Sequence, residues 1–347
     1  MTAIVPEPVT TTKRPRSRVA TRVRRGWLFI AGAGLVTVGI CQQWQPDGMA
    51  AITAIPPWCW LSALTLFAIP ALWNASGWQR LAMFLLAIAF LLVCVEQTSS
   101  LSRSIRDAMQ GEPAAPAEAI RIATINCNVG SKQAAAEVAA FKPNVVLLQE
   151  SPDRAATEAL AESLFGQDAS ATWSSDCSIL VRGELQPALR QGRHFVQATW
   201  TPPGGRSVEI LCLRLAPPPV RYDLWSPACW REHAAERRNH RQQIQEIAAA
   251  LAAVPAGRPI LLGGDFNAPA GDGALFELSP RLHDAFDRAG RGRGATVLNR
   301  VPVLRFDQLW CSEQLVPQRI RAVASKGSDH RLVAGEFDFA PLAGVSK

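Results

Sequence analysis

Asp265 and Asn267 sit one residue apart at the end of the apolar run "PILLGGDFN", and Asp329 stands beside His330 in "SKGSDHRL". Elsewhere Asn126 closes "ATIN", Glu150 follows "NVVLLQ", and Asp307 lies in "RFDQLW". Taken singly, Asp and Asn at strand ends are ordinary turn formers. Taken together, strand tips from distant parts of the chain supply carboxylates, carboxamides and one imidazole. Hard oxygen donors without a Cys or His cluster suit Mg²⁺ or Mn²⁺ and disfavour zinc. One or two carboxylates plus substrate phosphate oxygens form a phosphoryl-transfer arrangement. A strand tip fixes an attacking group more tightly than a mobile loop does. An imidazole paired with a carboxylate is oriented and held toward its protonated form, ready to donate to a phosphate oxygen. Of the five histidines, only His330 has that setting; His233 and His240, seven apart on a helical stretch, read as a solvated face.

The ordered series Asn126, Glu150, Asp265-x-Asn267, Asp307 and Ser328-Asp329-His330 resembles the endonuclease/exonuclease/phosphatase superfamily, the deoxyribonuclease-I-like fold, in a membrane-anchored bacterial-type form. The resemblance covers roughly residues 120–340, and "GGDFN" with "GSDHR" at this order and separation carries it. It implies a two-sheet α/β sandwich with helices outside both sheets and the site at one end. It implies further that Glu150 ligates a metal, with Asn126 nearby and Asp329 as a further contact. Asp265 orients or deprotonates the attacking water, Asn267 holds that water or a phosphate oxygen, and His330, supported by Asp307, faces the phosphate. Where members often show an apolar strand ending in His-Leu, this chain has "VEILCLRLAPPP", so Arg214 takes that place. Arginine binds a phosphate oxygen but does not donate a proton. A catalytically degenerate binding module on the same fold is the alternative this departure leaves open.

The elements that must position these residues alternate from residue 120 onward. Strand-like runs "IRIATINCNV", "NVVLLQE", "CSILV", "FVQATW", "VEILCLRL", "PILLGGDFN", "LRFDQLWCS" and "RLVAGEFDF" are interspersed with helical "SKQAAAEVAAFK" and "TEALAESLF" and a long helix from about Trp230 to Leu251. Short β-rich apolar runs are candidate buried strands, and their mixture with helices predicts a layered α/β domain. On that long helix Arg237, Arg238 and Arg241 read as a solvated face. No CxxC or other metal-ligand spacing joins the eight cysteines, which read as small buried hydrophobes.

The first 96 residues follow a different solvent logic. A basic stretch, residues 1–25, holds seven Lys/Arg against one acid and precedes the apolar "WLFIAGAGLVTVGIC". Two further runs, "AAITAIPPWCWLSALTLFAIPALW" and "LAMFLLAIAFLLVCV", give a three-segment transmembrane anchor over 26–96. A cleaved signal peptide is the rival reading of the first segment. With the basic end inside, three crossings place residues 97–119, read as a polar and Pro/Ala-rich tether, and the domain at 120–340 outside the cytoplasm of a bacterial inner membrane. Residues 1–119 carry 10 Lys/Arg against 6 Asp/Glu, and residues 120–347 carry 26 against 23. A surplus of three on the domain argues against a long nucleic-acid track. The sequence therefore predicts a Mg²⁺- or Mn²⁺-dependent phosphoesterase, acting on a diester in nucleic acid, a lipid head group or the cell envelope. The lipid bilayer and that substrate are its expected partners, and no feature names a protein partner.

Overall fold

The computed structural model describes residues 18–111, 119–188 and 191–341. Most of the basic N-terminal stretch and the Pro/Ala-rich end of the expected tether lie outside them. The helical N-terminal part comprises α1 (Arg18–Trp44), α2 (Ala50–Thr53), α3 (Pro57–Leu72), α4 (Gly77–Cys94) and α5 (Gln97–Gln110). There follow β1 (Ile120–Asn126), α6 (Lys132–Ala136), β2 (Val145–Gln149), α7 (Arg154–Phe165), β3 (Ala169–Trp173), β4 (Cys177–Arg182), β5 (Glu184–Pro187), β6 (Phe195–Thr201) and β7 (Val208–Arg214). The chain continues with α8 (Pro227–Ala252), β8 (Ile260–Asp265), β9 (His283–Asp284), α9 (Ala285–Ala289), β10 (Gly290–Arg291), β11 (Asp307–Cys311), β12 (Leu315–Val323) and β13 (Leu332–Phe339).

Among the described residues, thirteen strands form two mixed sheets. One runs β10-β12-β13-β1-β2-β4-β3 and the other β5-β6-β7-β8-β11-β9. Their facing sides bury Ile122, Leu147, Ile179, Trp200, Ile210, Leu309 and Phe337 in a common core. Strands covered on both faces need near-continuous apolar sequence, and Val145–Gln149 is buried at every position. Outside the second sheet, α8 contributes Ile244, Ile247 and Leu251 to a separate apolar layer with Leu211 and Leu262. Outside the first, α6 and α7 lay Ala134, Ala135 and Ala161 over Ile125, Val146 and Leu148. This is the two-sheet α/β sandwich that the sequence predicts.

Among the described residues, two helical stretches are long and apolar enough to cross a membrane, Thr21–Trp44 and Gly77–Cys94; a third crossing exists if Asp47–Thr53 and Pro57–Leu72, bent by 72°, form one span. The bend falls at Pro56 and Pro57, where a proline fits the first turn of a helix but cannot continue the preceding one. The start of the expected tether is instead the helix α5, docked on the sandwich. Ser100 Oγ donates to Gly292 O at 2.6 Å and Arg103 Nε donates to Gly290 O at 2.9 Å. Spacing of its polar residues conceals this, because its partners lie almost two hundred residues away.

On the arginine face of α8, Arg238 is exposed as expected, but Arg237 and Arg241 are not solvated in that way. Arg237 is buried and donates to Asp272 and to Thr53 Oγ1 and Gln45 O of the helical part; Arg241 forks onto Asp47 at 2.7 and 2.9 Å. His233 and His240 are buried too, each within hydrogen-bond distance of a carbonyl of the β7–α8 loop, Arg221 O and Ala216 O. These contacts tie the helices to the sandwich beside its site end.

Gly263 and Gly264 have separate structural reasons to lack a side chain. A Cβ on Gly263 would lie 2.7 Å from Leu147 of the opposing sheet, and Gly264 has φ +140° with Leu213 O 2.0 Å from where its Cβ would stand. Gly264→Ala therefore forces β7 and β8 apart and is expected to destabilise the protein by roughly 2 kcal/mol or more. Thermal unfolding of the full-length protein in detergent should show a clearly lowered midpoint; an unchanged midpoint would contradict the close approach.

Candidate active site

Strand register assembles the site. Arg214 pairs with Asp265 across β7 and β8, and Asp265 pairs with Asp307 across β8 and β11, so three charged residues share one row. In the first sheet Asn126 pairs with Gln149, which places Glu150 just past the same end of the sandwich. Asn126 Nδ2 joins the sheets by donating to Glu150 Oε1 at 3.2 Å and Asp265 Oδ2 at 3.0 Å. Its Oδ1 instead accepts the Asn128 N–H at 2.9 Å. Asn126 is thus a bridge between two carboxylates, and its oxygen accepts from its own loop.

Glu150 is held from three sides. Val129 N–H donates to Oε2 at 2.6 Å, and Arg214 Nη2 and Asn126 both donate to Oε1, the former at 2.7 Å. Burial alone would raise its pKa, but these hydrogen bonds and the positive charges of Arg214 and His330 bring it below the ordinary glutamate value. Its backbone has φ +44°, a left-handed conformation uncommon for a residue other than Gly, Asn or Asp. Such strain persists where surrounding contacts over-determine the residue.

Across the row, His330 Nδ1 donates to Asp307 Oδ2 at 2.8 Å. The preceding turn is stitched to β1, because Ser328 Oγ accepts the His330 N–H and donates to Asn126 O. Burial opposes charge on His330, but the charge and hydrogen bond of Asp307, with Asp265 and Asp329, outweigh it and push the imidazole up to about 10. Asp265, 1% exposed, is pushed up to about 6 by burial and by Asp307; His330, Asn267 N–H and Asn126 oppose the rise. Near neutral pH the site therefore holds an ionised Asp265 opposite a protonated His330.

Asn267 gives its N–H to Asp265 Oδ1 at 3.0 Å and its amide nitrogen to Leu215 O at 2.8 Å. It positions Asp265 and the end of β7. Arg214 spans two acids, with Nη1 on Asp176 Oδ2 at 2.6 Å. Asp176 is a site residue that sequence reasoning missed, since its position in "SSDCS" looks like a turn and its partner is 38 residues away. Asp329 is exposed on the rim and acts on His330 through space.

Glu150, Asp176 and Asp307 bond Arg214 or His330, and with Asp265 and Asp329 the acids of the site outnumber these two cations by three. Among the described residues, Asp307 Oδ1 is buried without a hydrogen-bond partner. Oxygen-rich excess charge of this kind fits a hard divalent cation. Ligand atoms of Asp265, Asp307 and His330 all lie within 4.8 Å of one another. Because Asp307 occupies Nδ1 and keeps the ring cationic, that corner suits a phosphate oxygen, and the Glu150–Asp265 side suits the cation.

Fold and site together define a phosphoesterase-type sandwich, with its chemistry at one end of two sheets. Residues 123–330 match the Endonuclease/Exonuclease/phosphatase family, and the chain belongs to that family. Among solved structures, a mannosyl-6-phosphatase from Bacteroides thetaiotaomicron is 14% identical, with 63% of this chain and 100% of that one covered at TM-score 0.49. Truncated TDP2 from Caenorhabditis elegans is 18% identical, covering 65% and 100% at TM-score 0.48. The human nocturnin catalytic domain with bound sulfate is 17% identical, covering 65% and 97% at TM-score 0.45. No curated protein matches the chain in sequence.

Protonation of Asp265 removes the carboxylate opposite His330, so kcat/KM is expected to fall about tenfold per pH unit below about 6. Raising the divalent-ion concentration should move that limb to lower pH, since ion and proton compete for the carboxylate. A pH–rate profile flat from 5 to 8 at every ion concentration would exclude Asp265 as the base.

Proposed function

We propose that the protein is a membrane-anchored hydrolase that cleaves a phosphoester, of the diester class, at the extracytoplasmic face of a bacterial inner membrane. One observation carries the reading: the Asp265 carboxyl stands in the strand row beside Asp307, which holds the His330 imidazole by Nδ1. Asp265 takes a proton from the attacking water as its oxygen forms a bond to phosphorus. His330 offers its free ring nitrogen to a phosphoryl oxygen, where negative charge accumulates as the bond to the leaving oxygen breaks. Glu150 and Asp265 would hold Mg²⁺ or Mn²⁺, which when bound supplies Lewis-acid stabilisation of the phosphoryl charge. Arg214, fixed between Glu150 and Asp176, sets the Glu150 carboxylate in place.

Membrane presentation is supported from two directions. The apolar stretches Thr21–Trp44 and Gly77–Cys94 suit bilayer crossing, and three crossings with the basic end inside put the sandwich outside the cytoplasm. Loops leaving the site's strand tips also carry apolar side chains in solvent: Val129, Val220 (95% exposed), Trp225 (87%), Leu298 and Val301. Apolar side chains gathered on one rim favour an amphiphilic substrate or a bilayer surface.

Asp265→Asn preserves size and should lower turnover of an aryl phosphodiester by a factor on the order of 10² to 10⁴. His330→Ala should cost a similar factor, with the double variant far less than multiplicatively worse if both act on one transition state. Glu150→Gln should differ in kind, raising the Mg²⁺ concentration needed for half activity. Intact hydrolysis in Asp265→Asn would reduce the strand-tip residues to turn formers. For topology, a reporter active only outside the cytoplasm, fused after Lys347, should give signal; signal from a cytoplasm-only reporter instead would mean an even number of crossings.

A further inference from the structure

Register in the first sheet sets a second pair of acids against each other. β2 and β4 run antiparallel with Gln149 opposite Cys177, so Glu150 and Asp176, one residue further on each side, face each other just past the last strand pair. Ser151 N–H donates to Asp176 O at 3.3 Å and holds the two segments together beyond the strand ends. Like charges directly opposite in a sheet repel. Here the backbone keeps them close whatever their side chains do, so the place between the two carboxylates calls for a cation.

Arg214 fills that place from the other sheet, at the end of β7. Its Nη2 donates to Glu150 Oε1 at 2.7 Å and its Nη1 to Asp176 Oδ2 at 2.6 Å, with Asp265 beside it in the strand row. Burial disfavours the guanidinium charge, but the hydrogen bond and charge of Asp176, with the charges of Glu150 and Asp265, outweigh that effect. The place is not sealed. The side chains of Glu150, Arg214 and Asp176 are 20%, 26% and 39% exposed, so an ion from solution would reach it if the guanidinium left. Two carboxylates with a third acid adjoining them are the hard oxygen set that a divalent cation takes, and phosphoryl-transfer sites often hold two such ions about 3.5–4 Å apart.

We propose that Arg214 is a resident cation in the place of a second divalent ion, keeping that ion out from between Glu150 and Asp176. Glu150 then serves one exchangeable ion, on its Asp265 side, and not two. That first ion rests on the proposed function; the exclusion of a second by Arg214 does not. A guanidinium is charged at every working pH and, being part of the chain, neither depends on ion supply nor departs with product. Arg214 acts through Glu150, which makes it a positioning residue.

The test counts bound Mn²⁺ in the full-length protein in detergent. Loss of the free-ion electron paramagnetic resonance signal is followed as Mn²⁺ is raised to about 1 mM, the weak end of functional divalent sites. Arg214→Ala should bind one ion per chain more than wild type, and so should Arg214→Gln, which keeps bulk and a donor. Adding Asp176→Asn to either should return the count to that of wild type, whereas Asp176→Asn alone should leave it unchanged. Mn²⁺ should also raise the melting midpoint of Arg214→Ala by about 2–4 °C more than that of wild type, because the extra ion binds the folded state. An arginine that only made a structural ion pair would cost stability on substitution without a gain in ions. A wild-type count in both Arg214 variants overturns the proposal, as does an extra ion that survives Asp176→Asn. Variants that fold in neither EDTA nor Mn²⁺ also overturn it, since the ion then fails to replace the guanidinium. If wild type binds no ion, the cation of the proposed function fails, and the gain of one ion on removing Arg214 still decides this proposal.

Discussion

Two carboxylates in one strand row, Asp265 opposite Asp307, set the terms for everything around them. Like charges directly opposite in a sheet destabilise it. At about 5 Å and an effective dielectric near 20, the repulsion is roughly 3 kcal/mol. The fold answers with His330 on Asp307, with the Asn126 amide on Asp265, and with Arg214 next in the row. Removing either acid would relieve the strain, so their joint presence points to chemistry that needs both. One acid rises toward neutrality, as the proposed base needs, while the other is committed to the His330 imidazole.

The same end of the sandwich also receives the helical part. Arg237 on Gln45 O and Thr53, Arg241 on Asp47 and Arg305 on Glu96 are contacts between the helical part and the sandwich near the catalytic row. Buried ion pairs gain little net stability because desolvation offsets their attraction, yet breaking one strands a charge. They therefore act as register pins, fixing which face of the sandwich lies beside the helix ends. With α5 docked by Ser100 and Arg103, the sandwich is braced against the helical part rather than hung from a loose tether.

Much of the site is legible in the sequence because each residue borders an apolar run, and a run marks its own strand. Glu150, Asp265 and Asn267 follow such runs, Asp307 opens β11 and His330 precedes β13. Partners from unrelated segments are not legible. Asp176 looks like a turn residue until Arg214 reaches it, and Arg237 looks solvated until Asp272 and the α1–α2 connection bury it. His233 and His240 likewise have a helical spacing that says nothing about the loop carbonyls covering them. In the N-terminal part, apolar composition marks the candidate spans, but the docking of α5 depends on partners such as Gly290 and Gly292 far down the chain.

Arg214 is the departure on which an inactive reading would rest, and its contacts weigh against that reading. A guanidinium cannot release a proton at any working pH, so general-acid work cannot pass through it. His330 already supplies an imidazolium in the same site, held by Asp307 and aimed by the Ser328 turn. What Arg214 adds is a fixed fork: one nitrogen on Glu150, another on Asp176, with Asp265 beside it in the row. That fork keeps Glu150 ionised and oriented at a backbone position that costs strain to hold. A module that only bound a phosphate would gain more from an arginine free to face its ligand than from one committed to two acids. The arrangement favours an arginine that positions the glutamate, with proton transfer left to Asp265 and His330.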